Sequence, residues 1–190
     1  AKIDDGGQLL WVTYLGGSVN DEGRDVAVDV AGNAWVTGWT RSPGWVADGF
    51  DVTFAGGPCD AFVAGVDGDA RMLWSSYLGG NNEDVGFSID VDVDGDLWLA
   101  GRTASPGWVA GGFDTTFGGG QYDAVVAKIT TGGALLWSSY LGGNASDGGT
   151  AIALDPDGNA WVTGWTYSDG WIAGGANSSP GGGIDAFVGL

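Results

Sequence analysis

The sequence predicts an all-β fold made of three copies of one four-stranded antiparallel sheet, each copy about 63 residues long. Three observations carry this. Trp11, Trp74 and Trp137 lie 63 residues apart, as do Tyr14, Tyr77 and Tyr140. The runs between turns are rich in Val, Ile, Trp, Tyr, Phe and Thr, which suit a pleated, half-buried surface. No window of useful length has helical periodicity, and 39 glycines would penalise any helix.

The elements follow in order. After a stub, AKID, an outer-type strand is expected over residues 9–15 (LLWVTYL). RDVAVDV then alternates and meets AGN, a turn whose glycine can take positive φ, and AWVTGWT completes a hairpin. A long insertion leads to DAFVAGVD, the turn DGDA and the strand MLWSSYLGG. The same step of 63 relates Asp29, Asp92 and Asp155, Gly32, Gly95 and Gly158, and Trp35, Trp98 and Trp161. The DA pairs start at Asp60, Asp123 and Asp185, the last one residue early. Trp35, Trp98 and Trp161 are expected to pack between neighbouring sheets, given how much area a tryptophan buries. Gly38, Gly101 and Gly164 sit mid-strand, where a neighbour's ring is expected to approach.

Four antiparallel strands joined as a meander describe one blade of a β-propeller. The third copy lacks its outer strand, and the strand at 9–15 is of the missing type. Residues 1–190 are therefore expected to form one propeller module, with 9–15 completing the last blade in cis or in trans. Closed propellers carry about four to eight blades, so three make too tight a ring. Two chains closing six blades, a homodimer, is the expected solution, with an open fibre or a longer parent propeller as alternatives.

DAFVAGVD, LLWSSYLGG, AVDVAGNAWVTGWT and SPGW resemble the bacterial β-propeller repeat family SBBP, and the hairpin VAVDVAGNAWV is more distantly similar to the NHL repeat. The resemblance covers the whole chain and implies secreted or cell-surface proteins built from many tandem copies. The third copy departs from it, with GGANSSPGGGI replacing GGFDTTFGGGQY and losing both phenylalanines.

Six basic residues against 24 acidic ones leave a net charge of −18, which repels phosphate backbones and anionic lipid. Nucleic-acid binding is excluded on that ground. No apolar run reaches the roughly 18 residues of a membrane span, and AKIDDGGQLLW lacks the pattern of a secretion signal. The chain has no histidine, so the commonest general base and the usual zinc ligands are missing. Cys59, the only cysteine, has no basic neighbour in sequence to activate it. No nucleophile motif or singled-out carboxylate pair is present, and the chain is expected not to be an enzyme.

Two clusters are candidate sites. Trp45, Trp108 and Trp171, with Phe50 and Phe113, recur in the insertions, where exposed rings beside Asp and Asn would form a platform for stacking glycans. The alternative is that each tryptophan anchors its own long loop. Asp90, Asp92, Asp94 and Asp96 in DVDVDGD are spaced like the start of a calcium loop, with Gly95 allowing a sharp turn. The glutamate such a loop needs at its twelfth position is replaced by Gly101. The alternative there is a hairpin turn in which Asp92 accepts from nearby backbone N–H groups. No cofactor is expected beyond that possible calcium. Asp90 stands apart, because its counterparts are Ala27 and Ala153.

Overall fold

In a computed structural model that describes residues 1–189, the chain forms strands and no helix among the described residues. A short pair comes first, β1 (Lys2–Ile3) and β2 (Leu9–Trp11). Blade 1 is β3 (Asp21–Val28), β4 (Ala34–Thr40), β5 (Asp60–Val66) and β6 (Met72–Leu78). Blade 2 is β7 (Asp84–Val91), β8 (Leu97–Thr103), β9 (Asp123–Ile129) and β10 (Leu135–Leu141). Blade 3 holds three strands, β11 (Asp147–Leu154), β12 (Ala160–Thr166) and β13 (Asp185–Gly189). Strands pair antiparallel in chain order within each blade, as the expected meander requires. The blades do not close into a ring.

Each blade turns a face to its neighbour, and alternation along the strands decides which. Trp35, Ala61 and Val63 of blade 1 meet Ile89, Leu97 and Leu99 of blade 2 in one apolar cluster. Ala100, Ala124 and Val126 of blade 2 meet Ile152 and Val162 of blade 3 in a second. Trp35 is 1% exposed and lies 5.2 Å from Trp74 of its own blade, crossing the intervening strand at Gly65. A Cβ at Gly65 would sit 2.2 Å from the Trp35 ring, so only glycine lets the indole lie across the sheet. Trp74 in turn donates from Nε1 to the Thr131 carbonyl of blade 2, at 2.7 Å.

Four expectations need correcting. Trp161 does not pack between blades; it is 46% exposed, because blade 3 has no neighbour on that side. The close approach at Gly38 is to backbone, not to a ring: a Cβ there would lie 1.9 Å from the Glu22 carbonyl oxygen. The register of β3 slips between Gly23 and Asp25 at that point, and the bulged strand presses against β4. The strand expected over 9–15 is regular only over Leu9–Trp11, because its partner β1 supplies two residues of ladder. Within this chain it does not complete blade 3, whose last strand β13 pairs only with β12.

The insertions clothe the outer strands. In blade 1, Ser75 N donates to Ala47 O at 2.8 Å and Tyr77 N to Asp51 O at 2.9 Å, so the loop lies along the free edge of β6. Blade 2 repeats both bonds on β10, from Ser138 N to Ala110 O and from Tyr140 N to Asp114 O. An exposed sheet edge is thereby covered without a fifth strand.

Candidate functional site

One polar network recurs at the same end of every blade. Asp21, Asp84 and Asp147 open the innermost strands, and Thr40, Thr103 and Thr166 close the next ones. In blade 2, Thr103 Oγ1 donates to Asp84 Oδ1, Ser105 Oγ donates to Oδ2 at 3.0 Å, and Gly80 N donates to Oδ2 at 2.9 Å. Thr103 Oγ1 accepts from Trp108 Nε1 at 2.9 Å and from Ser105 N at 3.0 Å. Blades 1 and 3 repeat the pattern through Trp45 and Trp171. The order is fixed by chemistry: indole N–H can only donate, carboxylate can only accept, and a hydroxyl does both.

This places the predicted ligand-binding residues, and it favours the loop-anchor alternative over the stacking platform. Trp45, Trp108 and Trp171 spend their N–H groups inside the network, and Trp45 and Trp171 set their rings edge-on against Phe62 and Phe187. Trp108 packs beside Val109 and Tyr140. Phe50 packs against the blade 1–blade 2 core, and only Phe113, at 72% exposure, faces outward. The tryptophans anchor their loops.

The aspartates of 90–96 do not converge either. Asp92 Oδ1 accepts from Asp94 N and Asp96 N, and its Oδ2 from Trp98 Nε1 at 2.9 Å. Burial acts to raise the Asp92 carboxyl, but bonds from Trp98 and Lys128 outweigh it and hold it below the usual range. Lys128 lies 2.9 Å from Asp92 and 3.2 Å from Asp96. Asp90 points elsewhere, accepting from Leu154 N of blade 3 at 3.0 Å, and so fastens adjacent inner strands together. Asp94 is exposed. Among the described residues no three His, Cys, Asp or Glu side chains form a metal-ligand group, and the bonds to Asp92 are those of the hairpin-turn alternative. A chelator is expected to leave the melting temperature unchanged in a thermal scan. A drop of several degrees that Asp94→Ala cancels would instead reveal a defined ion.

A second acidic feature has no local signal in the sequence. At the blade 1–blade 2 junction a parallel bridge joins Cys59 to Glu83, and Asp84 N donates to Cys59 O at 2.9 Å. Asp60 and Asp84, the next residues along, are thereby set side by side, and both are buried. Asp84 has three donors, whereas Asp60 accepts from Ala55 N and keeps Oδ1 without a partner. Burial pushes Asp60 up to about 7, against the Ala55 bond, and Asp84 adds to the rise. Burial likewise raises Asp84 to about 6. Asp123 stands to Asp147 as Asp60 does to Asp84, with Oδ1 again unpartnered and its pKa pushed by burial to about 6. Burial also pushes the Cys59 thiol to about 11, so it is no nucleophile at neutral pH.

The third feature is an open edge. Grooves of about 410 and 460 Å³ flank β13, and Ile172, Phe187 and Val188 line both. In blades 1 and 2 the outer strand and the insertion along it occupy the corresponding place. The tyrosine of that strand pins the insertion: Tyr77 Oη donates to Ser42 O and Tyr140 Oη to Ser105 O, both at 2.7 Å. Ser168 is the equivalent acceptor in blade 3. Tyr14, the equivalent donor, is fully exposed on the N-terminal segment.

Comparison with known families fits this architecture. The family described as SBBP: Beta-propeller repeat matches residues 10–44 and 136–170. Two segments of the chain are similar to SBBP repeats. The two matches begin two 63-residue steps apart, and each runs from an outer strand through the following inner hairpin to the residue before the anchoring tryptophan. The middle copy, between the two matched segments, keeps the same network through Asp84, Thr103, Ser105 and Trp108. No curated protein matches the chain.

Proposed function

We propose that the chain is a non-enzymatic, extracellular interaction module that assembles by completing one chain's open blade with a strand from another. The observation that carries this is the register of the N-terminal pair. Lys2 faces Trp11 and Ile3 faces Leu9, with a slip between, and Lys128 faces Trp137 and Ile129 faces Leu135 in the same way. Trp11 Nε1 donates to Gly68 O at 2.9 Å, as Trp74 does to Thr131 O one blade on. The pair therefore lies against blade 1 as the outer half of a preceding blade would.

The exposed faces match in kind. Val26 and Val28 point away from blade 2 and are exposed, while their blade 2 counterparts, Ile89 and Val91, pack on blade 1. Trp161 stands exposed on the far side of blade 3. Joining blade 3 of one copy to blade 1 of the next covers both faces, adds β2 beside β13 and brings Tyr14 to Ser168. Uncovered, these edges promote association. Two copies joined this way close six blades, while a rotation that does not close gives a fibre.

The similarity to SBBP repeats supports a site of action outside the cell. The test is the solution mass of residues 1–190 with and without residues 1–15. A dimer that the deletion converts to monomer is the expected result. A stable monomer of the full chain, as a longer parent propeller would give, sinks the proposal, and so does a dimer indifferent to the deletion.

A further inference from the structure

Three of the six basic residues in this acidic chain line one small cavity between blades 1 and 2. The cavity holds about 210 Å³, and Arg24, Arg41 and Arg102 share its wall with Trp39, Val85 and Phe87. We infer that it is a binding site for a small organic monocarboxylate.

The charges set the ligand's sign. Arg24 is paired with Glu22 at 3.1 Å and Arg102 with Glu83 at 2.6 Å. Arg41 has no carboxylate within ion-pair distance among the described residues, so it is the uncompensated cation of the cavity wall. Arg102 Nε is buried and has no hydrogen-bond partner. A buried donor left unpaired is costly, and an acceptor in the cavity would relieve it. One negative charge balances Arg41. A dianion would face Glu22 and Glu83 with nothing left to neutralise its second charge.

The geometry sets the shape. Each guanidinium is held against an aromatic ring: Arg102 4.3 Å from the Tyr122 centroid, Arg41 5.4 Å from Trp39, and Arg24 5.7 Å from Phe87. Stacking pre-orients the planar forks, which then match a carboxylate with two parallel bonds. Trp39, Val85 and Phe87 supply an apolar wall for a carbon skeleton. The volume is below that of a drug-sized pocket and suits a single ring.

Blade packing alone does not account for this cluster. At the blade 2–blade 3 junction, 63 residues on, the positions of Arg24, Arg41 and Glu83 hold Phe87, Ala104 and Ser146. That junction packs without the arginines. The set is unique within a chain that otherwise repeats, which is the mark of a site rather than of a building unit.

The test follows the indole N–H resonance of Trp39, which donates to Glu22 at 3.1 Å beside the cavity, by NMR on the full chain. Glucuronate and benzoate are the two probes, distinguishing a sugar acid from an aromatic acid, with glucose and inorganic phosphate as controls. At least one of the two acids is expected to give a saturable shift with Kd of about 1 mM or tighter. Arg41→Gln and Arg41→Lys are expected to weaken it about tenfold or more, since lysine keeps the charge and loses the fork. Arg41 is exposed, so both variants should melt with the native chain. Absence of saturation with both acids overturns the inference, as does equal binding of glucose or phosphate. Native affinity in either Arg41 variant overturns it too.

Discussion

Trp35→Ala should cost about 3–5 kcal/mol, the usual range for removing a large buried aromatic. In a chain of this size that is a fall of roughly 6–20 °C in melting temperature. The ring is buried, and it fills the space between Gly65, Trp74 and blade 2. Its Nε1 also donates to Asp29 Oδ2 at 3.0 Å, so truncation leaves a cavity and removes one of that carboxylate's donors. Trp161 carries the same bond to Asp155 but is 46% exposed. In dilute solution, with chains apart, Trp161→Ala should cost less than about 1 kcal/mol. Urea unfolding of both variants compares them. Equal losses would mean that the face of blade 3 is covered within a single chain.

The second large effect is on pH. Asp60 has its folded pKa raised from 3.8 to about 7. Between those values the folded state holds more protons than the unfolded one, so stability falls as pH rises through that window and levels off above it. The full span corresponds to on the order of 4 kcal/mol. Asp84 and Asp123, raised to about 6, act in the same direction over a narrower range. Asp29 and Asp92, held low, act oppositely and only below pH 3.8. Stability is therefore expected to peak near pH 4. Asp60→Asn, of the same shape and uncharged, should gain on the order of 2–4 kcal/mol at pH 8 and almost nothing at pH 4. Denaturant titrations at the two pH values check this. A loss at pH 8 would show that the ionised carboxylate is needed.

Much of this was legible in the sequence, for a stated reason. Strand type depends on residue kind and alternation, so β4, β5 and β6 fall where AWVTGWT, DAFVAGVD and MLWSSYLGG place them. The Asp92 turn was legible too, since Asp before a glycine turn accepts locally. Trp161 was misjudged because a repeat reveals what kind of position a residue holds, not whether its copy has a neighbour. The Thr–Asp–Ser network was missed although its signal was present: Asp21, Thr40 and Ser42 recur at the same step as the tryptophans. The pairs Asp60–Asp84 and Asp123–Asp147 join separate blades, and no local pattern marks them. At Gly38 the sequence shows only that something approaches closely, because a bulge in the neighbouring strand leaves no trace in its own.

The junctions also determine how this molecule comes apart. Blade 2 alone is flanked on both sides, by the Trp74–Thr131 bond and the Asp25–Ile89 bond on one and the Asp90–Leu154 bond on the other. Stability in such a row is close to a sum of each unit and its contacts with immediate neighbours. Opening then proceeds from the ends as in a linear chain of coupled spins, and the amides of β8 and β9 are the last to trade hydrogen for deuterium. Every blade added in register converts one fraying end into another protected middle, so resistance to unfolding rises with the count of blades and owes nothing to any single one.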